Sequence, residues 1–321
     1  MLKIGLVGLG GMGTVHLHNY DHIAGGKVVA ICDISQSAKE IANQRELLYY
    51  SNMNDMLAKC DIDVVDICTP TFLHADAVMT ALRHDKHVIC EKPLSLHIKE
   101  VEGMYALAHE KGVQLLVAHV LQYAPSSNVL RKLVHDKTYG ELLDIHMARL
   151  SACPRWIRGG WLFDKEKSGH IPFDLHIHDL DLLVSLLGNP AEYSCTKTGR
   201  ESVDYAEHYR FSYKFAKATA SVEAAWYHAD IPFTATWRAY FDEAVVICDE
   251  KGVIAYPYNA EPIHFDISEK ICIPTGINLP ATGMFYEELT DFLSIIKNSD
   301  GINIHREMDI RNVIATLEAL I

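Results

Sequence analysis

Asp174 and His178 stand four residues apart, so on a helix both side chains project from one face. A carboxylate in that position orients an imidazole and tunes its basicity, which suits proton transfer near neutral pH. Asp181 lies one heptad after Asp174 and extends the same face, whereas His176 points elsewhere on the helix. On spacing alone, a helix-capping aspartate and a surface histidine are the simpler interpretation of the pair.

The run His176-Ile177-His178 also matches the start of a dinuclear zinc hydrolase motif, His-x-His-x-Asp-His. The match ends there, because Leu180 stands where that motif needs its aspartate and Asp181 where it needs a histidine. The histidines also precede an apolar helical run. The sequence therefore predicts no metal site at this position.

A second group of reactive side chains follows two predicted strands. The strand of sequence DVVDICT ends in Thr69-Pro70-Thr71, and a strand from His87 to Cys90 ends in Glu91-Lys92-Pro93. Pro93 fixes the turn directly after a buried strand, so the lysine is aimed better than an ordinary solvated lysine. The carboxyl ends of parallel strands gather ligands, and four side chains are predicted to face a cofactor there: Thr71, His74, Glu91 and Lys92. A helix-surface histidine is an equally good interpretation of His74.

The cofactor itself is indicated by the turn from Gly8 to Gly13, which lies between the apolar strand from Leu2 to Val7 and an amphipathic helix from Met12 to Ile23. Gly8 permits the tight turn, Gly10 lets a pyrophosphate approach the backbone, and Gly13 lets the helix pack on the strand. Strand, glycine turn and helix in this order predict a dinucleotide-binding domain.

Asp33 follows the second strand, twenty residues after Gly13. Its carboxylate can accept hydrogen bonds from the ribose diol of NAD and would repel the 2′-phosphate of NADP. NAD is therefore predicted, while Ser35 to Ser37 leave NADP open. The predicted cofactor-binding residues are Gly8, Gly10, Gly11, Met12, Gly13, Asp33, Thr69, Pro70, Thr71, His74, Glu91 and Lys92.

The elements that position these residues change in kind near residue 121. Residues 1–121 alternate apolar strands with helices, which predicts a doubly wound parallel sheet with both faces covered. Residues 122–321 contain several strands with period-two alternation and no helices between them, which predicts a mostly antiparallel sheet in an α+β domain. We expect two closing helices, from Met284 and Arg306, which can pack back on the first domain.

Composition narrows the function classes. A formal net charge of −13 argues against nucleic acid or an anionic membrane as the main partner. The eight cysteines include no Cys-x-x-Cys pair, and they are typical of reduced core thiols in a cytosolic protein. A strand predicted from Leu2 leaves no room for a signal peptide, so we expect a cytoplasmic protein.

The glycine turn, Thr69-Pro70 with His74, Glu91-Lys92-Pro93 and Asp174-x-x-x-His178 together resemble the Gfo/Idh/MocA family, the glucose-fructose oxidoreductase and inositol dehydrogenase group. The resemblance covers nearly the whole chain. It implies an α/β fold with an N-terminal doubly wound parallel Rossmann sheet and a C-terminal α+β domain with a large, mostly antiparallel open sheet. It also implies assembly into homodimers or homotetramers through that sheet.

The activity that this resemblance implies is NAD(P)-dependent oxidation or reduction of a sugar, sugar derivative or cyclitol. Lys92 would then contact the reacting hydroxyl, Asp174 would hold the substrate, and His178 would be the general acid/base. Gln122 stands where the family often has an arginine. Arg155, Trp156 and Trp161 can form a sugar platform or simply pack. An NAD-dependent glycosidase and a catalytically silent cofactor-sensing regulator are the alternatives on the same fold.

Overall fold

The computed structural model describes residues 1–155, 158–298 and 306–321. The chain forms two compact units. The first unit comprises Met1–Val120 and Glu269–Met308, and the second comprises Leu121–Ser268 and Asp309–Ile321. Each unit is therefore built from two separated stretches of sequence.

The first unit contains a six-stranded sheet with the order β3-β2-β1-β4-β5-β6, in which every neighbouring pair is parallel. This order confirms the predicted doubly wound fold, with a switch point between β1 and β4. The strands are β1 Leu2–Val7, β2 Gly26–Cys32, β3 Leu48–Tyr50, β4 Val64–Ile67, β5 His87–Glu91 and β6 Leu115–Ala118. The helices are α1 Gly11–Tyr20, α2 Gln36–Gln44, α3 Met53–Lys59, α4 His74–Arg83, α5 Ile98–Lys111 and, near the end of the chain, α9 Met284–Asn298.

Local sequence explains how these elements begin and end. Ser35 caps α2, because its hydroxyl oxygen accepts a hydrogen bond from the backbone N–H of Ala38 at 3.2 Å. Gly112 ends α5 in the left-handed conformation, with φ at +66°. Helix α9 packs on α1, and the rings of His16 and Phe285 lie 6.4 Å apart. A helix from late in the sequence thus packs on the first helix of this unit.

The second unit contains an eight-stranded sheet with the order β14-β13-β12-β11-β7-β10-β9-β8. Its pairs are antiparallel apart from the parallel pair β7 and β10, which confirms the predicted mostly antiparallel sheet. The strands are β7 Leu142–Ala152, β8 Glu192–Thr198, β9 His208–Lys214, β10 Thr219–Tyr227, β11 Thr234–Phe241, β12 Ala244–Asp249, β13 Gly252–Pro257 and β14 Ile263–Phe265. The helices are α6 Pro125–Asp136, α7 Lys165–Ser168, α8 Ile177–Leu187 and α10 Glu307–Leu320, the last of which starts at the end of the first unit's second stretch.

A π-helical turn, Pro172–His176, leads directly into α8. It follows Gly169, which has a φ of +67° and no room for a side chain, since a Cβ there would lie 2.2 Å from Phe173 Cδ2. Turns of π type concentrate at functional positions, and this one carries Asp174. In the part of the chain that the structure describes, no helix combines the length and the apolar character of a membrane span.

Candidate functional site

The glycine turn at the amino end of α1 has the shape that a pyrophosphate requires. Gly8 has a φ of +87°, and a Cβ on Gly13 would lie 2.0 Å from Gly8 O, so both positions need glycine. A Cβ on Gly10 would meet no atom within 4 Å, so the turn is open on that side. Gly10 provides no side-chain cap and the first helical turn carries no acid, which leaves its N–H groups suited to an anion. These residues fit a dinucleotide.

Asp33 is held at the end of β2 by two backbone groups. Its Oδ2 accepts a hydrogen bond from Leu9 N–H at 2.7 Å and its Oδ1 accepts one from Ser35 N–H at 2.7 Å. The side chain stays half-buried. Each carboxylate oxygen has a further lone pair, so Asp33 retains the capacity to accept hydrogen bonds from a ribose diol.

His74 is buried with both ring nitrogens next to backbone carbonyl oxygens, and its predicted contact with a cofactor stays a prediction. It is 1% exposed. Its Nδ1 lies 2.7 Å from Pro93 O and its Nε2 lies 2.8 Å from Thr69 O, so the ring joins the two strand-end turns. Burial disfavours the charged imidazole and lowers the pKa of His74. A neutral His74 therefore supports the turns that it joins.

Glu91 is also turned inward, although we predicted that it faces the cofactor. It is 6% exposed. Its Oε2 accepts a hydrogen bond from Lys92 N–H at 3.0 Å, and its Oε1 lies 3.3 Å from His16 Nε2. Lys92 itself is half-buried, and the peptide bond between Lys92 and Pro93 is cis. The carboxylate therefore fixes the backbone of the lysine, and its predicted contact with a cofactor stays a prediction.

The other predicted residues at the edge of this sheet differ in exposure. Thr71 is buried, while Thr69 and Pro70 are half-buried, and Thr69 Oγ1 is a buried hydroxyl oxygen without a hydrogen-bond partner. Gly11 is exposed at the start of α1 and Met12 is half-buried. Direct contact of these residues with a cofactor stays a prediction.

The second unit holds Asp174 in the π-helical turn and His178 in the first turn of α8, both half-buried. The aspartates that follow are buried instead. Arg149 makes two hydrogen bonds with Asp179, at 3.0 and 2.7 Å, and Asp181 accepts one from Gln122 Nε2 at 2.6 Å. Asp181 of α8 therefore has a structural partner in Gln122, and we had predicted it to share the face of Asp174.

His176 has a structural environment. The side chain has no exposure, its Nε2 lies 2.6 Å from Tyr213 Oη, and its ring stacks on Phe211 with centroids 3.7 Å apart. Burial, and then the positive charge of Arg149, lower the pKa of His176 to about 3. A neutral imidazole packed in this way supports the turn that carries Asp174.

Besides Asp174 and His178, the four other residues predicted to bind substrate, Gln122, Arg155, Trp156 and Trp161, have different surroundings. Gln122 is tied to Asp181, and Arg131 Nη2 donates to Gln122 Oε1 at 2.6 Å. Arg155 is exposed and pairs with Asp230 at 2.7 Å, a contact that contributes little to stability. Trp161 is half-buried, and Trp156 lies outside the described residues. Their role toward a substrate stays a prediction.

Sequence reasoning missed the polar residues His16, Tyr20 and Asp66 beneath the lysine turn. Asp66 lies in an otherwise apolar buried strand and His16 lies on the inner face of α1. A buried carboxylate in such a strand requires a partner. The need of Asp66 for a polar partner was therefore the sequence signal that could have revealed this group.

The comparisons with known proteins follow the same division of the chain. Residues 2–119 match the family model described as an oxidoreductase family with an NAD-binding Rossmann fold, and residues 128–254 match the model described as the GFO/IDH/MocA C-terminal domain. The chain belongs to the Gfo/Idh/MocA oxidoreductase family. This family member therefore carries an NAD-binding Rossmann domain, as predicted.

Two curated relatives indicate the range of this family. A 2,7-anhydro-N-acetylneuraminate hydratase of Escherichia coli (strain K12) is 29% identical over 192 residues, which cover 60% of this chain and 51% of the relative. An inositol 2-dehydrogenase of Rhizobium meliloti (strain 1021) is 30% identical over 208 residues, covering 64% and 60%. This family member thus spans only about half the length of the first of these relatives.

Solved structures share the fold over the whole chain. The UDP-N-acetylglucosamine 3-dehydrogenase of Acidithiobacillus ferrooxidans superposes with a TM-score of 0.82 at 20% identity, covering 99% of this chain and 96% of the other. A levoglucosan dehydrogenase in complex with NADH gives a TM-score of 0.84 at 23% identity, covering 99% and 95%. At these identities the likeness shows the fold of this family member.

Proposed function

We propose that this protein transfers a hydride between NAD and a secondary alcohol or ketone of a sugar, sugar derivative or cyclitol. The proposal is carried by one observation: a half-buried lysine follows β5 at the carboxyl edge of the NAD-binding sheet, with its backbone fixed by Glu91. The names of an inositol 2-dehydrogenase and a 1,5-anhydro-D-fructose reductase among the relatives support this substrate class.

In the oxidative direction, His178 takes the proton of the reacting hydroxyl and the Lys92 ammonium stabilises the developing alkoxide. Asp174 orients His178 and accepts a hydrogen bond from a neighbouring substrate hydroxyl. Bound NAD supplies the hydride acceptor. The net reaction converts a secondary alcohol and NAD⁺ into a ketone, NADH and a proton.

Asp33 makes NAD the preferred cofactor in this proposal. Its carboxylate is held by Leu9 and Ser35 at the end of β2. A 2′-phosphate beside this charge would meet electrostatic repulsion. NADP remains the weaker alternative.

A second candidate is a redox-neutral reaction, in which a transient oxidation of the sugar is reversed within each turnover. The hydratase names of two relatives, from Escherichia coli and Mediterraneibacter gnavus, favour it. Hydration of an anhydrosugar and hydrolysis of a glycoside both belong to this class. Neither produces net NADH.

The deciding experiment incubates the purified protein with NAD or NADP and a panel of inositols, aldoses, sugar acids, sugar phosphates and anhydrosugars. Growth of the reduced-nicotinamide absorbance with one substrate class supports the dehydrogenase. Consumption of an anhydrosugar or glycoside without that absorbance favours the redox-neutral candidate. Binding of NAD with no consumption of any compound would leave the silent regulator.

We also propose that the protein forms a homo-oligomer through the open sheet of the second unit. Tyr240 of β11 and Tyr256 of β13 both stand opposite Val245, so they share one face of the sheet, and they are 48% and 45% exposed. Large apolar surface on one sheet face is typical of an interface. Sedimentation equilibrium of the intact protein tests this, and a monomer at micromolar concentration would contradict it.

A further inference from the structure

A closed group of ionisable side chains lies beneath the Glu91–Lys92 turn, inside the first unit. His16 belongs to α1, one turn after the glycine turn, and neither it nor Asp66 of β4 has any exposure. His16 Nδ1 lies 2.8 Å from Asp66 Oδ2, and His16 Nε2 lies 3.3 Å from Glu91 Oε1. The histidine thus stands between two buried carboxylates.

The hydrogen bonds around these carboxylates indicate the charge of His16. Asp66 Oδ2 also accepts a hydrogen bond from Tyr20 Oη–H at 2.8 Å, and Glu91 Oε2 accepts one from Lys92 N–H at 3.0 Å. Ionised carboxylates offer only acceptors, so each ring nitrogen of His16 faces an acceptor. A neutral imidazole would turn one lone pair toward a carboxylate oxygen. An imidazolium donates to Asp66 and forms an ion pair with Glu91.

The surroundings of His16 support the charged form. Burial by itself lowers the pKa of His16, but the charge of Asp66 and its hydrogen bond raise that pKa well above its ordinary value. Two buried carboxylates without a cation would be strongly unfavourable. The other titratable groups around this cluster are Tyr20, Asp66, Cys68, Cys90, Glu91 and Glu288.

A metal ion is the competing explanation, because ligand atoms of His16, Asp66 and Cys68 all lie within 4.8 Å of one another. Two ligands of a tetrahedral zinc ion, each at about 2 Å from it, stand roughly 3.3 Å apart. The 2.8 Å between His16 Nδ1 and Asp66 Oδ2 is the length of a direct hydrogen bond. The distances therefore favour a hydrogen-bonded group.

We propose that His16 is a positioning residue for Lys92: its imidazolium holds Asp66 and Glu91 together, and Glu91 fixes the backbone from which Lys92 extends. The functional part of this inference rests on the proposed role of Lys92. Because His16 and the glycine turn belong to the same helix, one side chain connects the cofactor-binding helix with the lysine turn. Lys92 is thereby oriented at the carboxyl edge of the sheet more firmly than a loop alone would hold it.

The first test replaces the cation in the full-length protein with the variant His16→Gln. We expect kcat to fall roughly 10- to 100-fold, because small displacements of a catalytic group have effects of that size. KM and the dissociation constant of NAD should change less than about threefold, since the glycine turn is untouched. His22→Gln, at an exposed position just after α1, is the matched control and should retain wild-type kcat. An unchanged kcat in His16→Gln overturns the proposal.

The second test distinguishes charge from packing. His16→Gln leaves two buried carboxylates without a cation, so their mutual repulsion weakens the contact of Glu91 with Lys92 N–H. His16→Gln/Asp66→Asn removes one negative charge together with the positive one and should recover at least about tenfold in kcat. A double variant that is less active than the single variant contradicts the proposal.

Two readouts do not depend on turnover, so they test the inference even if the proposed function fails. In hydrogen exchange, the Lys92 amide should be protected in the wild type and in the double variant, and should exchange at least about tenfold faster in His16→Gln. In a ¹⁵N-histidine spectrum of the wild type at pH 8, the signal of His16 is identified as the one that the double variant lacks. Its chemical shift should be that of an imidazolium. Unchanged Lys92 protection, a neutral His16 signal, or stoichiometric zinc in the purified protein each overturns it.

Discussion

His16 and His176 are both fully buried, yet their surroundings favour different protonation states: His16 is cationic and His176 is neutral. His16 stands between the carboxylates of Asp66 and Glu91. Burial lowers the pKa of His16, but the charge of Asp66 and its hydrogen bond, together with Cys68, raise that pKa well above its ordinary value. His176 stacks on Phe211 and bonds to Tyr213. Burial, and then the positive charge of Arg149, lower the pKa of His176 to about 3. Burial lowers the pKa of both histidines, and the neighbouring groups reverse that effect for His16 but add to it for His176.

The difference also separates two structural roles. The charged group in the first unit ends at Lys92 N–H, where chemistry is proposed, and holds the turn through ionic contacts. The neutral group in the second unit supports the π-helical turn of Asp174 through ring stacking, which needs no charge. The first arrangement should respond to loss of charge, and the second to loss of packing or to added protons.

The largest effect should come from Lys92→Ala, which removes the group that the first arrangement positions. We expect kcat to fall more than about 1,000-fold, because the alkoxide loses its stabilising charge. NAD affinity should stay within about threefold of the wild type in a fluorescence titration. His16→Gln leaves the ammonium of Lys92 in place, so its kcat should fall less than that of Lys92→Ala. Equal losses of kcat in the two variants would contradict the proposal that His16 acts by positioning Lys92.

The next effect tests the cation beside His176. Arg149→Met leaves the carboxylate of Asp179 buried without its partner, and the free energy of unfolding should fall by about 3–5 kcal/mol. Denaturant unfolding followed by tryptophan fluorescence measures this, because all four tryptophans lie within the sequence range of the second unit. The control Arg149→Met/Asp179→Leu should recover most of the loss. Full wild-type stability in the single variant would show that this pair does not stabilise the second unit.

A smaller effect is expected from acid. Between pH 6.5 and about 3 the unfolded chain binds a proton at His176 that the folded chain does not. The free energy of unfolding should therefore decrease as the pH falls through that window, by at most about 1.4 kcal/mol per pH unit. Unfolding curves at pH 7 and pH 5 should differ less in His176→Phe/Tyr213→Phe, which leaves neither polar group buried alone. An equal difference in both proteins would contradict a neutral His176.

The smallest effect concerns Asp33, whose carboxylate is half-buried, unlike the buried carboxylates of Asp66 and Glu91. Asp33→Ala should weaken NAD binding by about tenfold, because backbone and ribose partners are lost together. Binding of NADP should weaken less, since repulsion of the 2′-phosphate is also removed. Calorimetric titration with both cofactors checks this. An unchanged ratio of the two affinities would show that Asp33 does not select the cofactor.

The first sheet and its glycine turn could be predicted because their signals are local: apolar runs, glycines at fixed spacing and an acid after β2. Helix and strand alternation then determined a parallel sheet. The orientation of a side chain at the end of a strand, or in the segment that follows it, is not set by local sequence. For that reason Glu91 and His74 were predicted to face a cofactor, whereas the structure directs both to partners inside the unit.

The second unit was predicted less completely. Six of its strands, β7 to β12, follow from period-two alternation. The strands β13 and β14 lie among charged and turn-forming residues, and they are defined by the pairing of β13 with β12 and of β14 with β13. The π-helical turn and the burial of Asp181 depend on contacts with distant strands and with Gln122. The group around His16 needs α1, β4 and β5 together, so no single stretch of sequence contains it.

The parallel pair of β7 and β10 has a consequence for synthesis on the ribosome. β7 ends at Ala152 and β10 begins at Thr219, so at roughly 5–20 residues per second the intervening chain takes about 3–13 s to be made. During that interval the buried residues Ile145 and Met147 of β7 lack their neighbours on either side. Nascent chains stopped near residue 200 should therefore bind a chaperone, and chains extended past Phe241 should release it, which ribosome-bound truncations can measure.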